Sequence, residues 1–146
     1  MLKNKKGFTL IELLVVIAII GILSAVVLAS LNSARGKGQD AAIKGELGNI
    51  RSQAQIYRDT NNSYYPTFVA EEPIIDSCTN TEGLVSDSYV RGQLAAINLR
   101  FNATTTCFIG TSTYAISAIL TNGSSWCVDS NGLATSSSAG AEGLCQ

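Results

Sequence analysis

The chain has 146 residues, a formal net charge of -1 and only 14% charged residues. That length allows one domain of ordinary size, and charge so sparse leaves no broad basic footprint for nucleic acid. Histidine is absent, which removes the commonest metal ligand and general base; no Ser/His/Asp or Cys/His grouping, Walker loop or CxxC motif is present, so the sequence argues against an enzyme and calls for no cofactor.

Residues 1–7 are basic, with Lys3, Lys5 and Lys6 and no acidic residue among them. From Phe8 to Leu31 only Thr9, Glu12, Gly21, Ser24 and Ser30 interrupt an apolar run. As a helix this run is roughly 36 Å long, enough for the hydrocarbon core of a bilayer with some tilt. It is too long for the apolar region of a secretory signal. The positive-inside bias keeps residues 1–7 in the cytoplasm and sends the rest outward. Glu12 is then the anomaly, because a carboxylate at mid-bilayer costs about 2.5 to 3.5 kcal/mol on insertion scales, and less near an interface. One reading has it reaching the headgroups and stabilising the positive end of the helix dipole. The other gives it a cationic partner, which cleavage after Gly7 would create as a new α-amino group on Phe8.

The stretch Gly7-Phe8-Thr9-Leu10-Ile11-Glu12 and the apolar run behind it resemble the class III leader and N-terminal helix of type IV pilins and the related pseudopilins. The resemblance covers about residues 1 to 31. It implies cleavage after Gly7 and N-methylation of Phe8 by a prepilin peptidase/methyltransferase. It assigns Glu12 to assembly, pairing with the terminal amine of a neighbouring subunit, and Gly21 to a locally loosened part of the helix. Ala29 stands where many pilins carry a proline. The implied partners are membrane lipid before assembly, an inner-membrane assembly platform, and copies of the chain or minor pilins in a filament. The implied locations are the inner membrane, N-in and C-out, and then an extracellular or periplasmic filament. In a bundle of nearly all-apolar helices many axial offsets pack equally well, so one buried polar residue can select a register.

Beyond the apolar run, Ile43, Leu47, Ile50, Ala54 and Tyr57 recur at spacings of 4, 3, 4 and 3, one apolar stripe of an amphipathic helix. We expect residues 32–59 to continue the first helix, with Gly36 and Gly38 as its weak point and Thr60-Asn61-Asn62-Ser63 as its end. Glu71 and Glu72 before Pro73 read as a solvated turn. Residues 84 to 101 carry no clear pattern, and Arg91 to Phe101 fits a short helix or a strand.

Residues 60–146 shift towards Gly, Ser, Thr and Asn with short β-rich runs, which predicts a small globular β domain and an α+β fold overall. Thr113 to Leu120 and Ser125 to Ser130 flank Asn122-Gly123, a hairpin signal in which both central residues tolerate positive φ. Asp129-Ser130-Asn131-Gly132 reads as the next turn. An antiparallel sheet over the helix stripe follows, which is also the architecture of the pilin family. Cys78, Cys107, Cys127 and Cys145 all lie on the outward side, where four cysteines permit three disulfide pairings. We favour Cys127 with Cys145 and Cys78 with Cys107. No metal site is expected; Asp129 is a weak calcium candidate that fits an Asx turn better. Asn61, Asn102 and Asn122 each begin an N-x-S/T triplet, and the tail from Ala134 reads as a flexible loop. The leading reading is a pilus filament subunit. A type II secretion pseudopilin, a minor pilin for DNA uptake and a monomeric membrane-anchored surface protein are the alternatives.

Overall fold

The computed structural model describes residues 7–64, the backbone of 74–75, and residues 78–79, 81–140 and 142–146. The leader lysines and the turn around Glu71 and Glu72 lie outside the described residues. The chain divides into two units, one ending at Gly36 and the other running from Lys37 to Gln146.

A single helix, α1, runs from Leu10 to Asn61. In its first part the large apolar side chains from Phe8 to Leu31 lie on all sides and are 45% to 81% exposed. A segment this apolar cannot hydrogen-bond its backbone to neighbouring side chains or, in lipid, to water, so a helix satisfies it internally. Gly36 and Gly38 both lie within the helix despite their intrinsic cost. In the second unit the stripe is real: Ile43, Leu47, Ile50 and Ala54 are buried and Tyr57 packs beside them. Asn62, with φ of 58°, takes the left-handed position that ends the helix.

The region the sequence left undecided is helical. A 3-10 turn at Leu84–Ser86 leads into α2, Ser88–Phe101, whose buried residues Val90, Leu94 and Ile97 form one stripe. Asp87 caps it by accepting hydrogen bonds from the N–H groups of Tyr89 at 3.0 Å and Val90 at 3.1 Å.

Five strands form an antiparallel meander in sequence order: β1 Ile74–Ile75, β2 Thr105–Ile109, β3 Tyr114–Ile119, β4 Ser125–Asp129 and β5 Ala134–Thr135. Alternation divides its side chains between two faces. Ile109, Tyr114, Ile116 and Val128 join the helix stripes in the main core, whereas Phe108, Ala115 and Cys127 belong to a second, smaller core with Ala139 and half-buried Cys145. The expected hairpin joins β3 to β4, but only Gly123 has positive φ there. The loop is longer than a two-residue turn: Leu120 N–H donates to Ser124 O, and Gly123 N–H to Leu120 O. The Asn122 carboxamide oxygen accepts from Ser124 N–H at 3.0 Å, which holds Asn122 without a left-handed backbone.

The tail is not a loose loop. Ala134–Thr135 extends the sheet, Ala139 bridges to Cys145, and Ser138 and Gln146 exchange backbone hydrogen bonds. Gly143, with φ of 71°, sits so close to Thr113 that an added Cβ would lie 2.6 Å from its hydroxyl oxygen. The disulfides join Cys78 to Cys107 and Cys127 to Cys145. Cys107 belongs to the core facing the helices and Cys127 to the opposite one, so each face of the sheet carries one covalent staple.

Candidate functional site

The start of α1 carries the residues that the sequence singles out. Gly7 precedes the helix, a Cβ added to it would meet nothing within 4 Å, and Phe8 is 81% exposed. Thr9 stands immediately before the helix and Glu12 occupies its first turn.

These two residues bind each other reciprocally. Glu12 Oε2 accepts from Thr9 N–H at 2.8 Å and from the Thr9 hydroxyl at 2.7 Å, while Glu12 N–H donates to Thr9 Oγ1 at 3.3 Å. That is a capping box, which satisfies donors that an α-helix leaves unpaired at its N-terminus. Sequence reasoning missed Thr9, although the spacing Thr-x-x-Glu ahead of an apolar run is its signature. Among the described residues the hydrogen bonds to this carboxylate all go to Oε2. The charge also sits at the positive end of the helix dipole.

Gly21 lies one turn after Ile17 on an open surface where an added Cβ would meet nothing within 4 Å. Among the described residues nothing packs against it. From Lys37 onward the face of α1 opposite the buried stripe carries Gly38, Ala41, Gly45, Gly48 and Ser52 at spacings of 3, 4, 3 and 4. Nothing lies within 4 Å of a Cβ placed on any of these glycines.

Asp129 lies apart from this segment. It is 2% exposed, and its Oδ1 accepts from the N–H groups of Asn131 and Leu133, each at 3.0 Å. Its Oδ2 accepts from Cys145 N–H at 3.2 Å. Both oxygens are committed to backbone donors in an Asx turn and a tail clasp. No three His, Cys, Asp or Glu side chains come together as a metal cluster among the described residues.

The family described as the prokaryotic N-terminal methylation motif matches residues 2–28. The major component of the type IV wide pilus of Thermus thermophilus is 46% identical over 63 residues, 43% of this chain and 48% of that protein. Type II secretion system core protein G of Dickeya chrysanthemi is 34% identical over 65 residues, 44% of this chain and 42% of that one. The type IV major alpha-pilin of Moraxella bovis is 54% identical over 43 residues, 30% and 27% of the two chains. The chain thus spans less than half the length of each of these relatives. No solved structure matches it at comparable significance. The N-terminal segment matches the prokaryotic methylation motif, and the chain is similar to type IV pilins and to type II secretion system core protein G.

Proposed function

We propose that this chain is a structural subunit of a type IV pilus filament. It enters the inner membrane N-in and C-out, is cut after Gly7 and methylated on Phe8 by a prepilin peptidase/methyltransferase, and passes through an assembly platform into a helical filament. The observation that carries this reading is the methylation motif opening a segment whose large apolar side chains, from Phe8 to Leu31, are all exposed. Such a surface needs lipid before assembly and neighbouring helices after it. Because lipid tails are as apolar as the helix, close packing rather than a hydrophobic gain drives the exchange, and small residues permit close approach. The small outward face from Gly38 to Ser52 extends that opportunity along α1.

Cleavage places a cationic amine on Phe8, one turn from Glu12. The Thr9 capping box orients the carboxylate and leaves Oε1 for the amine of an adjacent subunit. That contact favours one stagger among many that apolar packing tolerates. Gln at Glu12 keeps a hydrogen-bonding oxygen and loses the charge, whereas Ala loses both. With processing checked by mass, Glu12→Ala should abolish filament incorporation and Glu12→Gln should reduce it strongly. Normal incorporation of both variants would refute the register role.

The similarity to core protein G favours a second reading, a pseudopilin confined to the cell envelope. Mass spectrometry of the N-terminal peptide separates the two. A chain beginning at methylated Phe8 in sheared extracellular material supports the pilus subunit, and the same terminus found only in the envelope supports the pseudopilin. An intact leader in both fractions rejects both.

A further inference from the structure

The chain contains two Asn-Gly pairs, Asn122-Gly123 and Asn131-Gly132. Each sits at the same point of a turn. Gly123 N–H donates to Leu120 O at 2.9 Å and Gly132 N–H to Asp129 O at 3.1 Å, and the two glycines have φ of 83° and 81°. Both asparagines are exposed. A glycine carries no Cβ to shield its backbone nitrogen, so that nitrogen can approach the side-chain carbonyl carbon of the asparagine before it.

The two carboxamides are held differently. Asn122 Oδ1 accepts twice from Ser124, from its N–H at 3.0 Å and from its hydroxyl at 2.7 Å. A backbone N–H can only donate, so the Asn122 atom facing it is the oxygen and not the amide nitrogen. Paired donors on a carbonyl oxygen are what stabilises the charge that develops there when the carbon is attacked. Among the described residues the hydrogen bond at Asn131 is instead made by its backbone N–H, which donates to Asp129 Oδ1 at 3.0 Å. The two pairs thus share dipeptide, turn and exposure, and differ in what meets the carboxamide oxygen.

We infer that Asn122 is a self-modifying residue, converted to aspartate and isoaspartate by attack of the Gly123 nitrogen, with Ser124 stabilising the charge on Oδ1. The Gly123 N–H leaves Leu120 O and gives its proton to solvent hydroxide, and the nitrogen bonds to Asn122 Cγ. The tetrahedral centre carries its negative charge on Oδ1, where both Ser124 donors meet it. The Cγ–Nδ2 bond then breaks, and Nδ2 takes a proton from water and departs as ammonia, which restores the hydroxide and closes a succinimide. Water opens that ring at either carbonyl and leaves an α-linked or a β-linked aspartate. No electrons are exchanged, and water is the sole co-reactant. The new carboxylate adjoins Thr121, whose N–H donates to Asp40 Oδ1 at 2.8 Å, so negative charge is added where the sheet is clasped to the helix. All of these residues belong to the second unit, and the inference does not depend on the filament reading.

The test incubates the full chain, folded in micelles, in mildly alkaline buffer and follows residues 122 and 131 by peptide mass spectrometry, with isoaspartate quantified separately. Asn122 should convert faster than Asn131. In the reduced and denatured chain, where Ser124 is no longer held against the carboxamide, the two rates should draw together. Ser124→Ala should slow conversion at Asn122 by roughly three- to tenfold, the effect of losing one hydrogen bond, and leave Asn131 unchanged as an internal reference. Ser124→Thr keeps the hydroxyl and should retain most of the rate. Conversion at Asn122 no faster than at Asn131, or the same ratio of rates in folded and denatured chains, would overturn the inference. So would an unslowed rate in Ser124→Ala, which would show that Ser124 restrains the carboxamide rather than activating it.

Discussion

Between Phe8 and Leu31 the large apolar side chains surround α1 and every one is at least 45% exposed, whereas Ile43, Leu47, Ile50 and Ala54 occupy one stripe and every one is buried. The two stretches belong to one helix but answer different constraints. A single stripe is completed by one sheet of the same chain. An apolar surface on all sides has no such partner within its own unit and must find it in lipid or in other molecules. Folding of the second unit, Lys37 to Gln146, and assembly of the apolar segment are therefore separable, and substitutions can be sorted by which one they disturb.

The largest expected effect comes from the stripe. Leu47→Ala removes a fully buried side chain and should lower the stability of the second unit by about 2 to 5 kcal/mol. Ile17→Ala, on the exposed part of the same helix, should leave the thermal melt in micelles within about 0.5 kcal/mol of the unaltered chain. A large loss from Ile17→Ala would show that the two stretches fold as one cooperative body and would break the comparison.

Next come the clasps on the far face of the sheet. In the chain-entropy account, closing the loop between Cys127 and Cys145, separated by 18 residues, contributes about 3 kcal/mol. Cys127→Ser with Cys145→Ser should lose roughly that amount in a thermal melt. Asp129→Ala strands three backbone N–H groups and should cost about 1 to 3 kcal/mol. One of the three belongs to Cys145, so the two changes should be less than additive when combined. Full additivity would mean that Asp129 and the disulfide hold the tail independently of one another.

How far these features could be read from the sequence follows from the range of the interactions behind them. The stripe of α1, the end of the helix near Asn61 and the position of the Asn122–Gly123 hairpin depend on local spacing and were legible. The disulfide pairs favoured from the sequence are the ones the structure forms. Helix α2 was not resolved because β-branched Val and Ile fit either element. The Val90, Leu94 and Ile97 spacing and the Asp87 cap were nevertheless available as signals. The folded tail was illegible for a different reason: small polar residues carry no period, and what orders them is a buried carboxylate and a distant cysteine. At the candidate site, Gly7, Phe8 and Glu12 stood out by pattern, whereas Thr9 was hidden inside a run that read as a membrane segment.

Tyrosine ionisation sharpens the contrast within the second unit. Burial foremost, and then neighbouring Tyr64, raises the Tyr114 phenol well above its ordinary range, against a smaller lowering by Arg51. Tyr57 is also raised, by burial and then by the Asp87 charge, against a hydrogen bond from Ser86. A pKa raised on folding means that the folded chain holds the proton more tightly than the unfolded chain does. The stability linked to it is complete below about pH 10 and is lost as pH climbs through the folded-state value. Alkaline melts should therefore fall away above that point, and Tyr114→Phe should flatten the decline more than Tyr57→Phe. A decline untouched by either variant would assign alkaline unfolding to other groups.

The smallest effect lies along the edge where α1 meets the sheet. Lys44, Arg51 and Arg58 recur every seven residues. Lys44 Nζ lies 4.2 Å from the centre of the Trp126 ring, Arg51 Nη1 donates to Gly132 O at 2.9 Å, and Arg58 lies 5.6 Å from the centre of the Tyr64 ring. Lys37 continues the row by one heptad but is exposed, and the first clasp between α1 and the sheet is Asp40, which accepts from Thr121 N–H at 2.8 Å. Lys44→Gln should cost about 0.5 to 1 kcal/mol, the range for a partly exposed cation over an aromatic face. Lys37→Gln should be neutral in the same melt. A loss at Lys37 equal to that at Lys44 would move the start of the folded unit one heptad towards the membrane segment, because a cation contributes there only if it has something to pack against.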